Sequence, residues 1–382
     1  MSKDLICFIQ DLYRTNGRIP LHEPFFDDRD KELLIETVDS TFVSSVGPLV
    51  GDFEKRISEY TGSKYSIAVI NGTAALHICL ELSGVNSGDE VITQALTFVA
   101  STNAILQCSA SPIFIDVSKK TLGMCPESLK AFLEENCEIR EKGCWNKKSR
   151  KFIKACLPMH TFGFPCEAEK IKTLCTKYKI KLIEDSAESI GSFLKKKHTG
   201  LFGDFGILSF NGNKIITTGA GGMILTNSEN SARLARHITT TAKLPHKWNF
   251  DHDIPAYNYR MPNLNASLGI TQIEKLPFLL KEKRRIAKQY RDWGNHNGYN
   301  FIEESENTTS NYWLNTLITE NKKERNKILE DTNKVLIMTR PSWTPMHKLP
   351  FNKKFQKGPL ENTNWLADRI VNLPSSAQNV KH

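Results

Sequence analysis

Short apolar runs alternate with segments of helical periodicity between about residues 65 and 226, and this alternation constrains the fold more than any other feature. The apolar runs predict strands at residues 65–70, 90–93, 112–117, 151–157 and 180–183. The first four are each followed by apolar residues at helical spacing, such as Ile171, Leu174, Cys175 and Tyr178. Strands that alternate with helices favour a mostly parallel sheet covered by helices on both faces, which is an α/β fold.

The alternation ends after residue 211, which indicates a change of architecture. Short strands are predicted at residues 206–210 and 223–226, and the loop between them contains Lys214. Farther along the chain, residues 277–293 predict one long, heavily charged helix.

We expect this helix to connect two domains. The first is a large domain at residues 30–279, and the second is a smaller C-terminal α+β domain at residues 280–382, with residues 1–29 packing near it. The charged segment 137–150 is expected to be a surface excursion before a strand.

The composition is that of an ordinary globular chain of 382 residues, with 51 basic and 42 acidic residues and a net charge of +9. A hydrophobic content of 40% excludes wholesale disorder, and no run reaches the roughly 18 apolar residues of a membrane span. Charged residues inside the N-terminal apolar stretch argue against a secretory signal. The positive charge suits an anionic ligand, a nucleic acid, a membrane surface or simply a solvated surface, but no nucleic-acid-binding motif accompanies it. We therefore expect no nucleic acid and no membrane as a partner.

The nine cysteines all lie in the first half of the chain, and no two of them form a C-x-x-C pair. Disulfide scaffolds and zinc sites need paired spacings. We therefore expect reduced thiols that mostly pack in the interior of a cytoplasmic protein, with no bound metal.

Polar residues at strand ends are the candidates for function, because ligands of open α/β sheets bind beyond the carboxyl ends of the strands. The sequence Asn71-Gly72-Thr73 follows a predicted strand and begins a helix, where free N–H groups and the helix dipole bind phosphate. A plain N-cap is the alternative. Phe98 lies at another strand-to-helix junction, where it would stack on a flat ring or pack in the core.

Two more candidates are a carboxylate and an amine. Asp185 ends a strand, where it would bond the nitrogen of a pyridinium ring or serve as an ordinary loop or capping aspartate. Lys214 lies 29 residues later in a loop bounded by glycine and asparagine. Burial there would favour a neutral amine able to form a Schiff base, although most lysines are surface charges. An anion site, an aromatic ring, a carboxylate and an amine in this order on one sheet describe a site for pyridoxal 5′-phosphate.

These motifs resemble those of the DegT/DnrJ/EryC1/StrS family of sugar aminotransferases, which have the fold type I, aspartate-aminotransferase-like architecture and use pyridoxal phosphate. The resemblance is dense over about residues 18–280 and looser over the C-terminal hundred. The motifs include Ile19-Pro-Leu-His-Glu-Pro24, Asn71-Gly-Thr-Ala-Ala-Leu76, Gly88-Asp-Glu-Val-Ile92, His160-Thr-Phe-Gly163, Glu184-Asp-Ser-Ala187 and Tyr257-Asn-Tyr-Arg-Met-Pro-Asn263.

The resemblance implies a role for each candidate residue. Lys214 would hold the cofactor covalently and later move the proton between the substrate carbon and the cofactor. Asp185 would pair with the pyridine nitrogen, and Phe98 would stack on the ring. The residues implied to bind the cofactor phosphate are Gly72, Thr73 and Ser209.

The resemblance also implies roles for three further residues. Asn258 matches a position that reaches the cofactor phosphate of the other subunit, so a homodimer with shared active sites is implied. His160 would lie near the ring, in a catalytic or a structural role. Glu188 occupies a position where many members have Gln, and it would face the cofactor or the substrate as an additional acid or base.

The family resemblance implies an enzyme that takes an amino group from L-glutamate and delivers it to C4 of a nucleotide-linked keto sugar, in the biosynthesis of deoxyamino sugars for surface polysaccharides. Residues 42–47 and 247–260 most resemble a branch that acts on UDP-linked 4-keto-6-deoxy-N-acetylhexosamines. A GDP- or dTDP-linked 4-keto sugar is an alternative substrate. A non-catalytic regulator that binds pyridoxal phosphate is an alternative of a different class.

Overall fold

A nine-stranded sheet is the largest element of the computed structural model, which describes residues 2–378. The strands of the chain are β1 (Tyr65–Val69), β2 (Glu90–Gln94), β3 (Ser111–Ile115), β4 (Cys137–Arg140), β5 (Gly143–Asn146), β6 (Lys151–Leu157), β7 (Lys181–Asp185), β8 (Phe193–Leu194), β9 (Lys197–His198), β10 (Phe205–Ser209), β11 (Gly222–Thr226), β12 (Asn300–Phe301), β13 (Thr308–Thr309), β14 (Asn315–Ile318), β15 (Arg340–Pro341) and β16 (Ile370–Leu373). The helices are α1 (Ser2–Tyr13), α2 (Asp28–Asp39), α3 (Leu49–Thr61), α4 (Gly72–Leu82), α5 (Val99–Gln107), α6 (Pro126–Asn136), α7 (Ala168–Lys177), α8 (Glu229–Thr239), α9 (Asn263–Asn297), α10 (Lys322–Lys334) and α11 (Glu361–Ala367).

The main sheet has the strand order β1-β11-β10-β7-β6-β2-β3. Strands β10, β7, β6, β2 and β3 are paired in parallel, whereas β11 runs antiparallel to both of its neighbours. Because β11 is antiparallel to both β1 and β10, the carboxyl ends of β1, β7 and β10 lie at the same edge of the sheet. The predicted functional residues that follow or end these strands therefore lie at this edge.

Helices cover both faces of the sheet, which confirms the predicted α/β fold. Alternate residues of a strand point to opposite faces, and in β1 Ile67 and Val69 join one core cluster while Ala68 joins another. In β10, Ile207 and Leu208 divide in the same way. Strands buried on both faces are typical of parallel sheets.

A smaller antiparallel sheet of order β12-β14-β16-β15 follows α9 in the chain. Its own apolar cluster joins Leu5 and Ile9 of α1 to Tyr290 of α9 and Leu317 of β14. The N-terminal helix therefore packs with the C-terminal region. The proposed division at residues 279 and 280 falls inside α9 and stays a prediction.

The predicted strands of the main sheet are present with ends shifted by one or two residues, but two other predictions need correction. Residues 137–150 contain the hairpin β4–β5, which joins the sheet through β6 rather than leaving it as an excursion. Glu138 and Arg140 of β4 are exposed, whereas Trp145 of β5 packs edge-on against Phe152 of β6 at 4.8 Å between ring centroids. The predicted helix 277–293 is longer, spanning Asn263–Asn297.

Six of the nine cysteines are buried, all in the main-sheet region of the chain. Among residues 2–378, no helix has both the length and the apolar character that crossing a membrane requires.

Candidate active site

A cavity of about 350 Å³ lies at the edge of the sheet where β1, β7 and β10 end. It is bordered by the first turn of α4 and by the loop after β10. All of the predicted site residues except His160 and Asn258 line it, namely Gly72, Thr73, Phe98, Asp185, Glu188, Ser209 and Lys214. The strand order therefore brings together residues that are up to 142 positions apart in the chain, from Gly72 to Lys214.

The start of α4 offers backbone N–H groups to this cavity. Asn71 caps the helix, because its side-chain oxygen accepts the N–H of Ala74 at 2.8 Å. The N–H groups of a first helical turn have no partner within the helix, so those of Gly72 and Thr73 suit an anion. Gly72 lies so close to Ser209 that an added Cβ would be 3.1 Å from the Ser209 Cβ. The glycine therefore lets α4 and β10 approach and form one cradle.

Asp185 provides a buried carboxylate in the lining of the cavity. The Ser101 hydroxyl donates to its Oδ2 at 2.8 Å, and the N–H of Ala187 donates to its Oδ1 at 3.2 Å. Burial raises the pKa of Asp185 above its ordinary value, and the hydrogen bond from Ser101 opposes that rise. A cationic ring N–H placed here would favour the charged carboxylate.

Lys214 is held between a carboxylate and an indole ring. Its ammonium donates to Oε1 of Glu188 at 3.2 Å and lies 4.1 Å from the centroid of the Trp313 ring. The Trp313 indole N–H in turn donates to the carbonyl oxygen of Asn213, next to Lys214 in the chain, at 2.8 Å. The lysine is therefore an oriented, largely buried amine rather than a surface charge.

Glu188 is held by the backbone turn Thr161–Gly163. The N–H of Phe162 donates to Oε2 of Glu188 at 2.9 Å, so Oε1 is the oxygen that faces Lys214. Phe162 has a φ of 56°, and an added Cβ at Gly163 would lie 1.9 Å from a side-chain oxygen of Asn311. Burial raises the pKa of Glu188 to about 7, against the opposing effects of the Lys214 ammonium and the Phe162 N–H.

Aromatic side chains close the outer side of the cavity. Phe98 lines it at the N-terminus of α5 with nearly half of its surface exposed, and its ring lies 6.0 Å from that of Trp343. Trp313 and Trp343 also line the cavity, although neither is among the residues predicted from the sequence. The sequence feature that could have pointed to Trp343 is its place in a short segment between two prolines, Pro341 and Pro345.

His160 lies outside the cavity lining, and the structure gives it a structural position. Its ring is completely buried, with Nε2 3.0 Å from Oε2 of Glu184. Its Nδ1 accepts the N–H of Cys166 at 3.1 Å, so the ring proton is on Nε2 and points to Glu184. Both ring nitrogens are thus engaged in the protein interior, which suits the structural role of the two that the resemblance implies.

Asn258 also lies outside the lining. It is exposed and forms an isolated bridge with Thr240. Among residues 2–378 no contact carries it to the phosphate cradle, so the role implied for it would need a second subunit.

The residues of the cavity fit pyridoxal phosphate. The cradle at Gly72, Thr73 and Ser209 matches an anionic phosphate, and Asp185 matches a cationic ring nitrogen. Lys214 supplies the amine that would bind the cofactor carbonyl. Such a set can bind the cofactor by charge at both ends and move a proton at the Lys214 nitrogen.

Comparison with known proteins agrees with this chemistry. The sequence matches the DegT/DnrJ/EryC1/StrS aminotransferase family over residues 25–380. It is 36% identical to GDP-perosamine synthase of Escherichia coli O157:H7 over 360 residues, which cover 94% of this chain and 93% of that protein. It is 37% identical to EpsN of Bacillus subtilis (strain 168), whose name describes a pyridoxal phosphate-dependent aminotransferase, over 87% of this chain and 83% of that protein.

A solved structure shows the same architecture. The crystal structure of a DegT DnrJ EryC1 StrS aminotransferase from Brucella abortus superposes with a TM-score of 0.83 at 25% identity, covering 93% of this chain and 92% of that chain. The predicted cofactor and enzyme class are thus confirmed. The chain belongs to the DegT/DnrJ/EryC1/StrS aminotransferase family and is a pyridoxal 5′-phosphate-dependent aminotransferase.

Proposed function

We propose that this protein transfers an amino group from L-glutamate to C4 of a GDP-linked 4-keto sugar. The observation that carries the reaction type is the convergence of the Gly72 cradle, Asp185 and Lys214 on one cavity. The support for GDP is the similarity to a GDP-perosamine synthase over nearly the whole of both chains. The UDP-linked substrate expected from residues 42–47 and 247–260 has no such support, so we do not retain it as the first choice.

Pyridoxal phosphate, when bound, supplies the electron sink that stabilises the carbanion formed at the substrate carbon. The protein positions the cofactor and moves protons. Asp185 would hold the ring nitrogen, and the amides at the start of α4 with Ser209 would hold the phosphate. Lys214 would hold the cofactor covalently and would carry the proton at its Nζ.

Glu188 controls Lys214 in this proposal. Its Oε1 faces the lysine nitrogen at 3.2 Å, while the Phe162 N–H holds its other oxygen. An ionised Glu188 keeps the lysine ammonium protonated and oriented, and a pKa of about 7 lets the carboxyl exchange its proton near neutral pH. The Trp313 ring packs on the lysine ammonium, 4.1 Å from the ring centroid.

We propose a homodimer as the working unit, with Asn258 reaching the cofactor phosphate of the other subunit. Several large apolar side chains are exposed in the segments 42–46 and 248–254, which is unusual for a surface facing only water. Phe42, Val46, Trp248 and Phe250 are exposed by 56%, 80%, 72% and 74%. The second of these segments lies next to Asn258 in the chain, so the apolar surface and the implied phosphate contact belong to one interface.

The decisive experiment separates the two half-reactions. The purified holoenzyme is mixed with L-glutamate alone, and the cofactor absorbance is followed while 2-oxoglutarate is measured. We expect one equivalent of 2-oxoglutarate per active site from the parent protein and none from Lys214→Ala. GDP-, UDP- and dTDP-4-keto sugars are then offered to the aminated enzyme.

We expect amination of the GDP-linked sugar. Preference for a UDP- or dTDP-linked sugar would contradict the nucleotide assignment and leave the aminotransferase chemistry intact. Absence of any glutamate half-reaction would instead favour the non-catalytic regulator, which the presence of Lys214, Asp185 and the cradle argues against.

A further inference from the structure

A second, larger cavity adjoins the site already described. Its volume is about 730 Å³, and it shares Asn213, Trp313 and Trp343 with the lining of the inner cavity. The three shared residues form a neck between the two spaces. The Phe162 ring of the outer lining packs beside both tryptophans, 6.4 Å from Trp313 and 4.9 Å from Trp343 between ring centroids. A ligand in the outer cavity would therefore reach Lys214 past these aromatic side chains.

Two remote segments of the chain build the wall of the outer cavity. Residues 18–24 pair with the residues before β15 through a parallel bridge between Ile19 and Ile337, both of which are buried. The N–H of Ile19 donates to the carbonyl oxygen of Leu336 at 3.0 Å, and the N–H of Met338 donates to the carbonyl oxygen of Ile19 at 2.9 Å. This bridge places the side chains of Arg18 and Arg340 on one rim.

Both arginines present a positive charge that no nearby carboxylate of the described residues neutralises. In the described part of the chain, the only hydrogen-bond partner of the Arg18 side chain is the sulfur of Met338, at 3.8 Å. Arg340 uses Nη1 to donate to the side-chain oxygen of Asn333 at 2.9 Å and to the carbonyl oxygen of Thr339 at 2.8 Å, which orients the guanidinium. Its other nitrogens have no hydrogen-bond partner among residues 2–378. Neither has a carboxylate within 4 Å among residues 2–378, although Glu23 also lines the cavity.

A pair of uncompensated guanidinium groups is suited to a diphosphate, because each presents several N–H donors in a planar fork. The remaining wall is largely apolar and includes Pro20, Leu21, Leu314 and Pro341. Such a wall suits a nucleoside next to its phosphates. The inner cavity, by contrast, has no arginine in its lining.

We propose that Arg18 and Arg340 bind the diphosphate of the nucleotide-sugar substrate, while the sugar passes the Trp313–Trp343 neck to reach Lys214. This assignment rests on the proposed function. The carboxylates of glutamate are the other anions that the two arginines could bind. The amino group of glutamate, however, must reach Lys214 in the inner cavity, and neither arginine lines that cavity. The arginines therefore act on the acceptor substrate and not on the amino donor.

Equilibrium binding of GDP and of UDP to the holoenzyme tests the proposal without turnover. Quenching of tryptophan fluorescence and calorimetry give the dissociation constants for the parent, Arg18→Ala, Arg340→Ala and Arg340→Lys. Arg233→Ala, on the exposed surface of α8, is the matched control. We expect each alanine variant to weaken nucleotide binding about tenfold or more, because a charge-assisted hydrogen bond is lost. Lysine at position 340 should restore part of the affinity.

Two further measurements distinguish a diphosphate from the carboxylates of glutamate as the ligand of the arginines. Inorganic pyrophosphate should compete with GDP in the parent and lose affinity in the arginine variants. The rate of the glutamate half-reaction should stay within about twofold of the parent in Arg18→Ala and in Arg340→Ala, since no arginine lines the inner cavity.

Unchanged nucleotide binding in both alanine variants would overturn the proposal. A selective loss of the glutamate half-reaction, with nucleotide binding intact, would also overturn it and assign the pair to the donor carboxylate. Failure of the parent with glutamate would reject the proposed function instead, and the nucleotide-binding result would still report on the arginines.

Discussion

The ammonium of Lys214 donates to Oε1 of Glu188 at 3.2 Å, and the side chains of the two residues are only 12% and 2% exposed. The second oxygen of Glu188 is occupied by the N–H of Phe162. A buried carboxylate with one oxygen fixed by the backbone and the other on the reactive amine makes the protonation state of the site depend on pH.

Glu188→Gln should remove this dependence. The ordinary pKa of a glutamate is 4.5 and that of Glu188 in the folded protein is about 7, so folding favours the protonated carboxyl. Ionising Glu188 therefore costs stability as the pH rises from about 4.5 through about 7. We expect the free energy of unfolding of the cofactor-free variant, relative to the parent, to increase over that interval and to level off above it.

Urea unfolding at several pH values measures this difference. Glu135→Gln, on the exposed side of α6, controls for the loss of a surface charge. In the holoenzyme, the pH profile of kcat/KM should lose the rising limb near pH 7 in Glu188→Gln. A variant profile that overlays the parent profile would show that Glu188 does not set the protonation of the site.

Asp185→Asn should weaken cofactor binding and slow the glutamate half-reaction. The amide has the shape of the carboxylate but no charge, and it cannot favour a cationic ring nitrogen. We expect a loss of about 10- to 100-fold in cofactor affinity, which corresponds to one charge-assisted hydrogen bond. Equilibrium dialysis with pyridoxal phosphate measures it. Ser101→Ala keeps the charge of Asp185 and removes the hydrogen bonds of the Ser101 hydroxyl to Asp185 at 2.8 Å and to Thr97 at 2.9 Å, so it should lose less.

Gly72→Ala should act on the phosphate end of the cofactor. The added Cβ would lie 3.1 Å from the Ser209 Cβ and push α4 away from β10. We expect the affinity for pyridoxal phosphate to fall about tenfold, while that for pyridoxal, which has no phosphate, changes little. Gly212→Ala is the control in the same region, because an added Cβ there meets no atom within 4 Å. Equal losses for both ligands would place the defect elsewhere than the phosphate cradle.

His160→Ala should reduce stability rather than chemistry. Removing the imidazole leaves the buried Glu184 without its side-chain partner, although Gly200, Phe202 and Gly203 still donate their N–H groups to it. Losing a hydrogen bond to a buried charged group costs about 1.5–3 kcal/mol of unfolding free energy. We expect thermal unfolding at a lower temperature, with the glutamate half-reaction of the folded fraction nearly unchanged. A large drop in that rate at unchanged stability would give His160 a catalytic role.

The local sequence pattern predicted much of the site. Gly72 and Asp185 are candidates from the pattern alone, because each lies at the end of an apolar run, and the rule that ligands bind at strand ends needs no knowledge of strand order. Ser209 ends another such run, but only the family resemblance implies its phosphate-binding role. Lys214 was recognised from its spacing and its loop. The prediction of a surface excursion at residues 137–150 was wrong, because a short hairpin with exposed charges has the local composition of a loop.

Periodicity alone determined that this chain forms a layered α/β sheet and that its chemistry lies where the strands end, since both depend on residues close together in sequence. The tertiary structure decided which distant side chains complete the site. Trp313 lies 99 positions from Lys214 in the chain and yet packs on its ammonium, and Arg18 and Arg340 share a rim through one backbone bridge. Contacts of this kind depend on the pairing order of strands and on how the C-terminal sheet packs against the large one, and no local pattern encodes either.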